Sequence, residues 1–327
     1  MVKISLRLCV AARERNNLTD NMIKSIITGI NGYVGTHLAK LLSGKNNKVF
    51  GIDINSNNCI GNERFYVADI LNTNELIGIL LKVKPDVIYH LAGIIKSDNP
   101  LRLYEANVNG TLSLFEAIVS SGLKPKVFIP GSSAVYGKGD SDERLNELSP
   151  LLPCTSYGMS KLLQEEVAKY YFRNYSIPVY IARTFNIIGP GNSVNLACSE
   201  FARQIALAEK SGKNELHTGT LSSKRDFVDI RDAVKAYHLI VKKGKAGNIY
   251  NVCSGKSMAV KECLDILIKN ADCKINVICD KRKIQKNDIP VQVGSPDKIC
   301  NEIGWETEIP AGESLKECLE YWRENIK

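Results

Sequence analysis

The chain has 327 residues, of which 44% are hydrophobic and 24% are charged. This composition is typical of a globular protein and excludes a disordered chain, a collagen-like chain and a small disulfide-stapled scaffold. No apolar run reaches the roughly 18 residues that a membrane-spanning helix needs, so we predict no membrane association. The net charge of +8 is scattered, without a basic block interleaved with aromatic residues, so we predict no nucleic-acid partner.

The spacing of cysteine and histidine residues gives no sign of a metal site. The ten cysteines contain no C-x-x-C pair and the four histidines contain no H-E-x-x-H motif, so we predict no bound metal. Without a convincing export signal, we expect reduced thiols in a cytoplasmic protein. We interpret residues 1–21 as a loose N-terminal extension and Met22 as the functional start, because the first predicted strand follows directly.

The first part of the chain alternates between two kinds of segment. Short β-branched and apolar runs are separated by amphipathic stretches, which is the order expected for a parallel sheet with helices on both faces. We therefore predict an α/β fold with a doubly wound parallel sheet of the Rossmann type. The predicted strands cover residues 25–28, 48–54, 64–68, 86–91, 126–129 and 178–184, and the predicted helices cover 33–42, 74–82, 101–121 and 157–175.

After Phe185 this alternation ends. A Gly-Pro-Gly turn at 189–191 precedes a mixture of helices and short strands, which predicts a smaller lobe at the carboxyl ends of the sheet, where open α/β folds bind ligands. We expect an NAD-binding domain of residues 22–183 plus about 222–253, and a substrate lobe of 184–221 plus about 254–327. The predicted helices of this part cover 196–210, 232–242, 260–270 and 313–325, and the predicted strands cover 225–230 and 248–252.

A glycine-rich segment follows the first predicted strand and opens the first predicted helix. Glycines there allow a tight turn and a close approach to a pyrophosphate, which then lies at the helix N-terminus. Asp53 ends the second strand, where it could accept hydrogen bonds from an adenosine ribose, and this favours NAD(H) while leaving NADP(H) possible. A plain βα turn is the alternative. Asp69 could bind the adenine amine or simply cap its strand. The predicted cofactor-binding residues of the loop are Gly29, Asn31, Gly32, Tyr33, Val34 and Gly35.

Tyr157 and Lys161 lie four residues apart in a predicted helix and so share one face. A lysine there can lower the phenol pKa and hold a ribose hydroxyl, and the tyrosine can exchange a proton with an alcohol or carbonyl oxygen. Ser132 ends the preceding predicted strand and can bind the same oxygen. These three residues are the predicted catalytic group.

From Ile23 to near Lys327, the chain resembles the nucleotide-sugar branch of the extended short-chain dehydrogenase/reductase family, also called the epimerase/dehydratase family. The resemblance implies an NAD(P)-dependent oxidoreductase with a Ser–Tyr–Lys triad, and a homodimer that pairs the helices near 101–121 and 155–175. It assigns cofactor contacts to Ile70, Leu91, Ala92 and Asn107, and substrate contacts to Ser132, Ser133, Asn186 and Arg225. The segments that carry it are TGINGYVG (28–35), ADI (68–70), HLAG (90–93), NVNGT (107–111), GSSAVYG (131–137), YGMSK (157–161), RTFN (183–186), GPG (189–191) and RDFVD (225–229).

One sequence position argues against the dehydratase branch of the family. Dehydratases that remove water across C5–C6 of the sugar carry an acid two residues after the catalytic hydroxyl, where this chain has Ala134. Segments of the C-terminal half resemble reductases of GDP-4-keto-6-deoxy sugars, which form GDP-rhamnose. An arginine of those enzymes that grips phosphate is missing, and Lys283 or Lys286 is the predicted replacement. A nucleotide-sugar 4-epimerase with NAD and a non-catalytic nucleotide-binding protein remain alternatives.

Overall fold

The computed structural model describes residues 22–57, 61–138, 144–284 and 289–326. Its centre is a seven-stranded parallel sheet, which confirms the predicted α/β fold. The strands of this sheet are β1 (Ile23–Thr28), β2 (Asn47–Asp53), β3 (Phe65–Val67), β4 (Val87–His90), β5 (Lys126–Ser132), β6 (Val179–Thr184) and β11 (Ile249–Val252), and their order is β3-β2-β1-β4-β5-β6-β11.

The strand order reverses between β1 and β4. β1 pairs with β2 on one side and with β4 on the other, so the chain winds outward in both directions from this point. All four residues of β4 and all six of β6 are buried, as expected for central parallel strands covered on both faces. In folds of this kind, a crevice for ligands forms at the carboxyl ends of the strands where the order reverses.

Helices cover both faces of the sheet and form two apolar clusters with it. One face packs against α1, α7 and α9, and the other packs against α2, α4 and α5. The helices are α1 (Tyr33–Ser43), α2 (Thr73–Val83), α3 (Pro100–Tyr104), α4 (Gly110–Ser121), α5 (Ser156–Tyr175), α6 (Ala197–Ser211), α7 (Ile230–Lys243), α8 (Val260–Lys269), α9 (Asp297–Ile303) and α10 (Ala311–Asn325).

The predicted helix at 101–121 is divided in the structure. A π-helical turn, Glu105–Asn109, separates α3 from α4. The Asn107 side chain is buried within this turn and bonds to both backbone groups of Ile94. The periodicity of the sequence predicts one helix because each half keeps its apolar face, whereas the turn is set by this contact with a distant loop.

The C-terminal part contains a third apolar cluster, built mainly from α6, α8 and α10. The predicted strand at 225–230 is split at Asp226, whose carboxylate turns inward to other loops. The remaining short strands are β7 (Asn186–Ile188), β8 (Glu215–Thr218), β9 (Lys224–Arg225), β10 (Phe227–Asp229), β12 (Met258–Ala259), β13 (Asn276–Cys279) and β14 (Val291–Gln292).

The separation of the apolar clusters agrees with a sheet domain and a smaller lobe, while the boundaries given above stay a prediction. The predicted extension at residues 1–21 lies outside the described residues. Among the helices of the described residues, none is both long and apolar enough to cross a membrane.

Candidate active site

The glycine-rich loop connects β1 to α1 at the point where the strand order reverses. Gly29 has a φ of 68°, and a Cβ atom there would lie 2.8 Å from the Ala92 Cα atom after β4. A Cβ atom on Gly35 would lie 2.4 Å from the Gly29 carbonyl oxygen. Gly32 precedes α1 and has no side chain to cap it, so the first amides of the helix point outward and can bind phosphate. This backbone fits a dinucleotide pyrophosphate.

Asp53 ends β2 beside this loop and is 9% exposed. Its two carboxylate oxygens accept hydrogen bonds from the backbone amides of Asn31 and Asn55, each at 3.0 Å. A carboxylate has about four lone-pair sites, so two remain for other donors. Asp53 therefore orders the loop and can also accept bonds from two ribose hydroxyls.

The other predicted cofactor residues surround this loop. Asp69 is exposed, and its carboxylate accepts the Leu71 amide at 3.0 Å, as a cap would. Ile70 packs closely against Gly110 of α4. The Leu91 and Ala92 amides donate to the backbone oxygen and the hydroxyl of Thr28. Their contacts with a cofactor stay predictions.

The structure brings Ser132 and Tyr157 together at the carboxyl end of the sheet. Thr155 caps α5 by accepting the Gly158 amide at 3.0 Å, and this starts the helix just before Tyr157. A Cβ atom on Gly158 would lie 2.5 Å from the Ala134 carbonyl oxygen, so the helix start lies against the turn that follows Ser132.

The Tyr157 pKa differs from the expectation. Burial raises the pKa of the phenol, and the hydrogen bond with Ser132 only partly opposes this effect. Tyr157 is therefore a neutral phenol near neutral pH, which suits a proton donor. Burial outweighs the hydrogen bond with Ser132, and the lowering of the phenol pKa by Lys161 stays a prediction.

Lys161 lies one helical turn after Tyr157 and is buried, with 6% of its surface exposed. Burial lowers its pKa to about 8, and the negative charge of Glu165 opposes the lowering. Its ammonium group donates a hydrogen bond to the Gln164 side-chain oxygen. An amine with this pKa is mostly charged at neutral pH and can bind hydroxyl groups.

Asn107 supports the catalytic helix from the π-helical turn. Its amide nitrogen donates to the Ile94 carbonyl at 3.0 Å and to the Ser160 hydroxyl at 2.9 Å. The Ser160 hydroxyl in turn donates to the Tyr157 carbonyl at 2.8 Å. Asn107 thus joins the loop after β4 to the first turns of α5.

Glu165 forms a buried ion pair with Arg183 of β6. Arg183 Nη2 lies 2.9 Å from Glu165 Oε2, and the two side chains are 2% and 0% exposed. Arg183 also donates to the Tyr136 hydroxyl at 3.2 Å and to the Glu147 carbonyl at 3.1 Å. The pair attaches α5 to the sheet, and Arg183 compensates the negative charge of Glu165 next to Lys161.

Two of the predicted substrate residues, Asn186 and Arg225, lie near Asp226: Asn186 bonds to it, and Arg225 directly precedes it in sequence. The Asn186 amide nitrogen donates to the Asp226 carbonyl at 3.0 Å, and Arg225 Nη1 donates to the Ile289 carbonyl at 2.6 Å. The Asp226 carboxylate accepts the amides of Ser254, Gly255 and Gly294. The Asp226 carboxylate therefore ties the loops at 254–255 and 294 to the segment that follows Arg225.

The remaining predicted substrate residues are less well placed. The Ser133 hydroxyl is buried and donates to the Gln292 side-chain oxygen at 3.0 Å, so a direct substrate contact stays a prediction without support from this bond. The Lys283 ammonium is exposed and donates to the His217 carbonyl at 3.1 Å. Lys286 lies outside the described residues. Within the described ranges, no cluster of acidic, histidine or cysteine side chains could hold a metal ion.

Sequence reasoning missed Gln164, Glu165 and Asp226. Gln164 and Glu165 stand three and four residues after Lys161, so helical spacing alone indicates that they share its face. No comparable local signal exists for Asp226, because its partners are 28 to 68 residues away.

Comparison with known proteins supports the same class of site. A GDP-6-deoxy-D-mannose reductase of Pseudomonas aeruginosa is 28% identical over 307 residues, covering 92% of this chain and 97% of that protein. A GDP-6-deoxy-D-talose 4-dehydrogenase of Aggregatibacter actinomycetemcomitans is 26% identical, with 86% and 92% covered. A solved structure described as RMD from Pseudomonas aeruginosa complexed with NADPH has a TM-score of 0.83 at 28% identity, covering 93% of this chain and all of that one.

The fold and the site thus define an NAD(P)-dependent enzyme of the extended short-chain dehydrogenase/reductase type, as the sequence predicted. The family model described as GDP-mannose 4,6 dehydratase matches residues 26–318, so the chain belongs to this family of nucleotide-sugar enzymes.

Proposed function

We propose that this protein reduces the 4-keto group of a GDP-4-keto-6-deoxy sugar to an alcohol, with NADH as the reductant and GDP-rhamnose as the product. The observation that carries the proposal is the pairing of Ser132 with a neutral Tyr157 phenol beside a side chain, Ala134, that cannot act as an acid or a base. Similarity to a GDP-6-deoxy-D-mannose reductase over 92% of the chain supports it.

In this reaction the bound dihydronicotinamide supplies a hydride to C4. Ser132 and Tyr157 donate hydrogen bonds to the carbonyl oxygen, and Tyr157 gives up its phenol proton as the oxygen gains charge. The Lys161 ammonium stabilises the phenolate left behind and holds the cofactor ribose. A second acid–base group near the sugar is not needed for this step, whereas a 4,6-dehydration needs one.

Asp53 supports NADH as the preferred cofactor. Its carboxylate beside the glycine-rich loop would repel a 2′-phosphate, while ribose hydroxyls can donate to it. The similar structure complexed with NADPH makes this a sharp test. We expect a higher kcat/KM with NADH than with NADPH, and a smaller ratio for Asp53→Asn. A preference of the unchanged chain for NADPH contradicts this part of the proposal.

The smaller lobe supplies the binding site for the nucleotide sugar. Arg225 offers a charged, planar group that suits a diphosphate, and Asn186 offers an amide at the start of β7. Asn186 is held by the Asp226 carbonyl, and Arg225 is held by the Ile289 carbonyl. A lysine near 283–286 completes the phosphate contacts in this proposal.

The experiment is to mix the purified chain with GDP-4-keto-6-deoxy-mannose and NADH and to follow the loss of dihydronicotinamide absorbance. We expect one NADH consumed per alcohol formed, with little turnover by Tyr157→Phe. Tyr66→Phe, at the sheet edge, is the matched control and should keep full activity. Absence of NADH oxidation, together with tightly held NAD and interconversion of C4 epimers, would instead establish the 4-epimerase, which Asp53 would also suit.

A homodimer is part of the proposal. Met159, Leu163 and Tyr170 form a stripe along α5 and are 41%, 39% and 47% exposed, and Leu112 of α4 is also exposed. A second copy would bury this stripe, as the family resemblance implies. We expect a dimer in sedimentation analysis and dissociation by Leu163→Glu. The control is Leu148→Glu, because Leu148 is 95% exposed and lies in a loop outside α4 and α5. A monomeric unchanged chain refutes the dimer.

A further inference from the structure

A chain of buried polar side chains leads away from Lys161 beneath the glycine-rich loop. Gln164 Nε2 lies 2.8 Å from Thr111 Oγ1, Thr111 Oγ1 lies 2.9 Å from His90 Nε2, and His90 Nδ1 lies 2.9 Å from Thr28 Oγ1. Thr28, His90, Thr111 and Gln164 are each 0% exposed. The chain joins α5 and α4 to the ends of β4 and β1.

The direction of each hydrogen bond in this row of buried side chains follows from the groups at its two ends. A lysine ammonium can only donate, so Gln164 must turn its oxygen toward Lys161 and its NH₂ group toward Thr111. Thr111 Oγ1 lies 2.7 Å from the Asn107 carbonyl oxygen. Two oxygens this close require a hydrogen between them, so the Thr111 hydroxyl proton points to Asn107.

The His90 tautomer follows from this. Because the one proton of Thr111 is used, its second lone pair must accept a proton from His90 Nε2. Nδ1 of the neutral ring is then an acceptor and receives the Thr28 hydroxyl proton. Thr28 Oγ1 accepts the Ala92 amide at 3.1 Å. Every polar atom along the chain has a partner, and no member can turn over without leaving a buried group unsatisfied.

Burial fixes the charge state of this histidine as well. Burial, together with the positive charge of Lys161, lowers the His90 pKa to about 3. A neutral His90 with its proton on Nε2 is thus a permanent donor to Thr111. That donor, together with Asn107, leaves Gln164 only one orientation.

We infer that Gln164 is a positioning residue, which holds the Lys161 ammonium where it meets Tyr157 and the cofactor ribose, and that Thr111 and His90 determine which end of its amide faces Lys161. The inference rests on the proposed function in so far as Lys161 serves the reduction. An uncharged acceptor keeps the ammonium oriented and leaves its other protons for the ribose and the phenolate. Glu165, by contrast, is already occupied by Arg183.

The titratable groups around Lys161 determine its pKa, which the alkaline limb of a pH profile reports. Tyr157 and Glu165 come from its own helix, Glu165 is paired with Arg183 of β6, and His90 comes from β4. Gln164→Leu removes the acceptor and should lower the Lys161 pKa, whereas Gln164→Glu adds a negative charge and should raise it.

The first experiment compares pH profiles of kcat for the two Gln164 variants. Gln164→Leu loses a hydrogen bond to a charged group. We therefore expect kcat to fall about 10- to 100-fold, with an unchanged KM for the nucleotide sugar. The alkaline limb should move to lower pH for Gln164→Leu and to higher pH for Gln164→Glu. Glu166→Gln, a half-exposed neighbour on α5, is the control and should move neither. Unmoved alkaline limbs in both Gln164 variants overturn the inference.

A second experiment separates this inference from the proposed reaction, because it needs no substrate. In protein with ¹⁵N-labelled histidine, the His90 ring should stay neutral with its proton on Nε2 from about pH 5 to about pH 9. The affinity for NADH should fall in Thr111→Val and return in Thr111→Ser. A proton on Nδ1, or a His90 that titrates in this range, overturns the inference whatever the activity. A chain that lacks reductase activity but shows the expected tautomer defeats only the proposed reaction.

Discussion

The buried ion pair between Glu165 and Arg183 allows a sharp test of how the catalytic helix is held. The two groups are joined by three contacts of 2.9 to 3.2 Å, and neither reaches solvent. Removing one partner of such a pair leaves an uncompensated buried charge, which costs about 3–5 kcal/mol. We therefore expect Arg183→Met to lower the free energy of unfolding by this amount, measured by urea denaturation.

The double variant Glu165→Leu/Arg183→Met isolates the charge effect. It removes both charges and also the donors to the Glu147 carbonyl and the Tyr136 hydroxyl. The hydroxyl keeps its bond to Asn251, so the Glu147 carbonyl is the group left without a donor from this pair. One unsatisfied buried acceptor costs about 1–3 kcal/mol, so the double variant should be more stable than Arg183→Met alone. Arg282→Met, at an arginine 90% exposed, should leave the urea midpoint unchanged. A loss below about 1 kcal/mol in Arg183→Met would refute the reasoning, because that is the range of an exposed pair.

Three further results are expected. Tyr157→Phe should lower kcat by about 10²–10⁴-fold with unchanged NADH affinity, measured by steady-state kinetics and fluorescence titration, since only the transferred proton is lost; near-normal turnover would disprove the role. Asp226→Leu should destabilise the chain by about 3 kcal/mol or more in urea, because three loop amides lose their acceptor; an unchanged midpoint would show that these amides find other partners. The folded-state pKa of Lys161, about 8, lies below its ordinary value of 10.5. The unfolded chain therefore binds the extra proton between these values, and the stability of the unchanged chain relative to Lys161→Met should rise with pH across that window; a flat difference would contradict the buried ammonium.

The hydrogen-bonded network next to Lys161 connects two parts of the site rigidly. Gln164, Thr111 and His90 connect Lys161 to Thr28, the residue directly before the glycine-rich loop. The loop that fits the pyrophosphate and the lysine proposed to bind the cofactor ribose are therefore connected through one buried hydrogen-bonded network. Such a connection keeps the reacting groups in register as a cofactor binds.

Several features could be predicted from the sequence because their physics is local. Gly29 allows a positive φ, and Gly29 and Gly35 allow close backbone contacts, so the segment can form a tight turn that other residues would prevent. Tyr157 and Lys161 share a helix face by spacing alone. Alternating apolar runs and amphipathic helices predict a parallel sheet, which the structure confirms.

Other features were decided by contacts between distant segments, and no local pattern carries them. Asn107 bends a helix into a π-helical turn by bonding Ile94 and Ser160, and Asp226 splits a predicted strand by accepting amides from two other loops. The orientation of Gln164 depends on His90, a residue that the sequence marks only as a buried strand end. The sequence by itself determined the turn, the helix face and the fold class, since these follow from backbone freedom and periodicity. Tertiary structure alone decided the hydrogen-bond partners, because a buried polar group takes whichever donor or acceptor the packed chain brings to it.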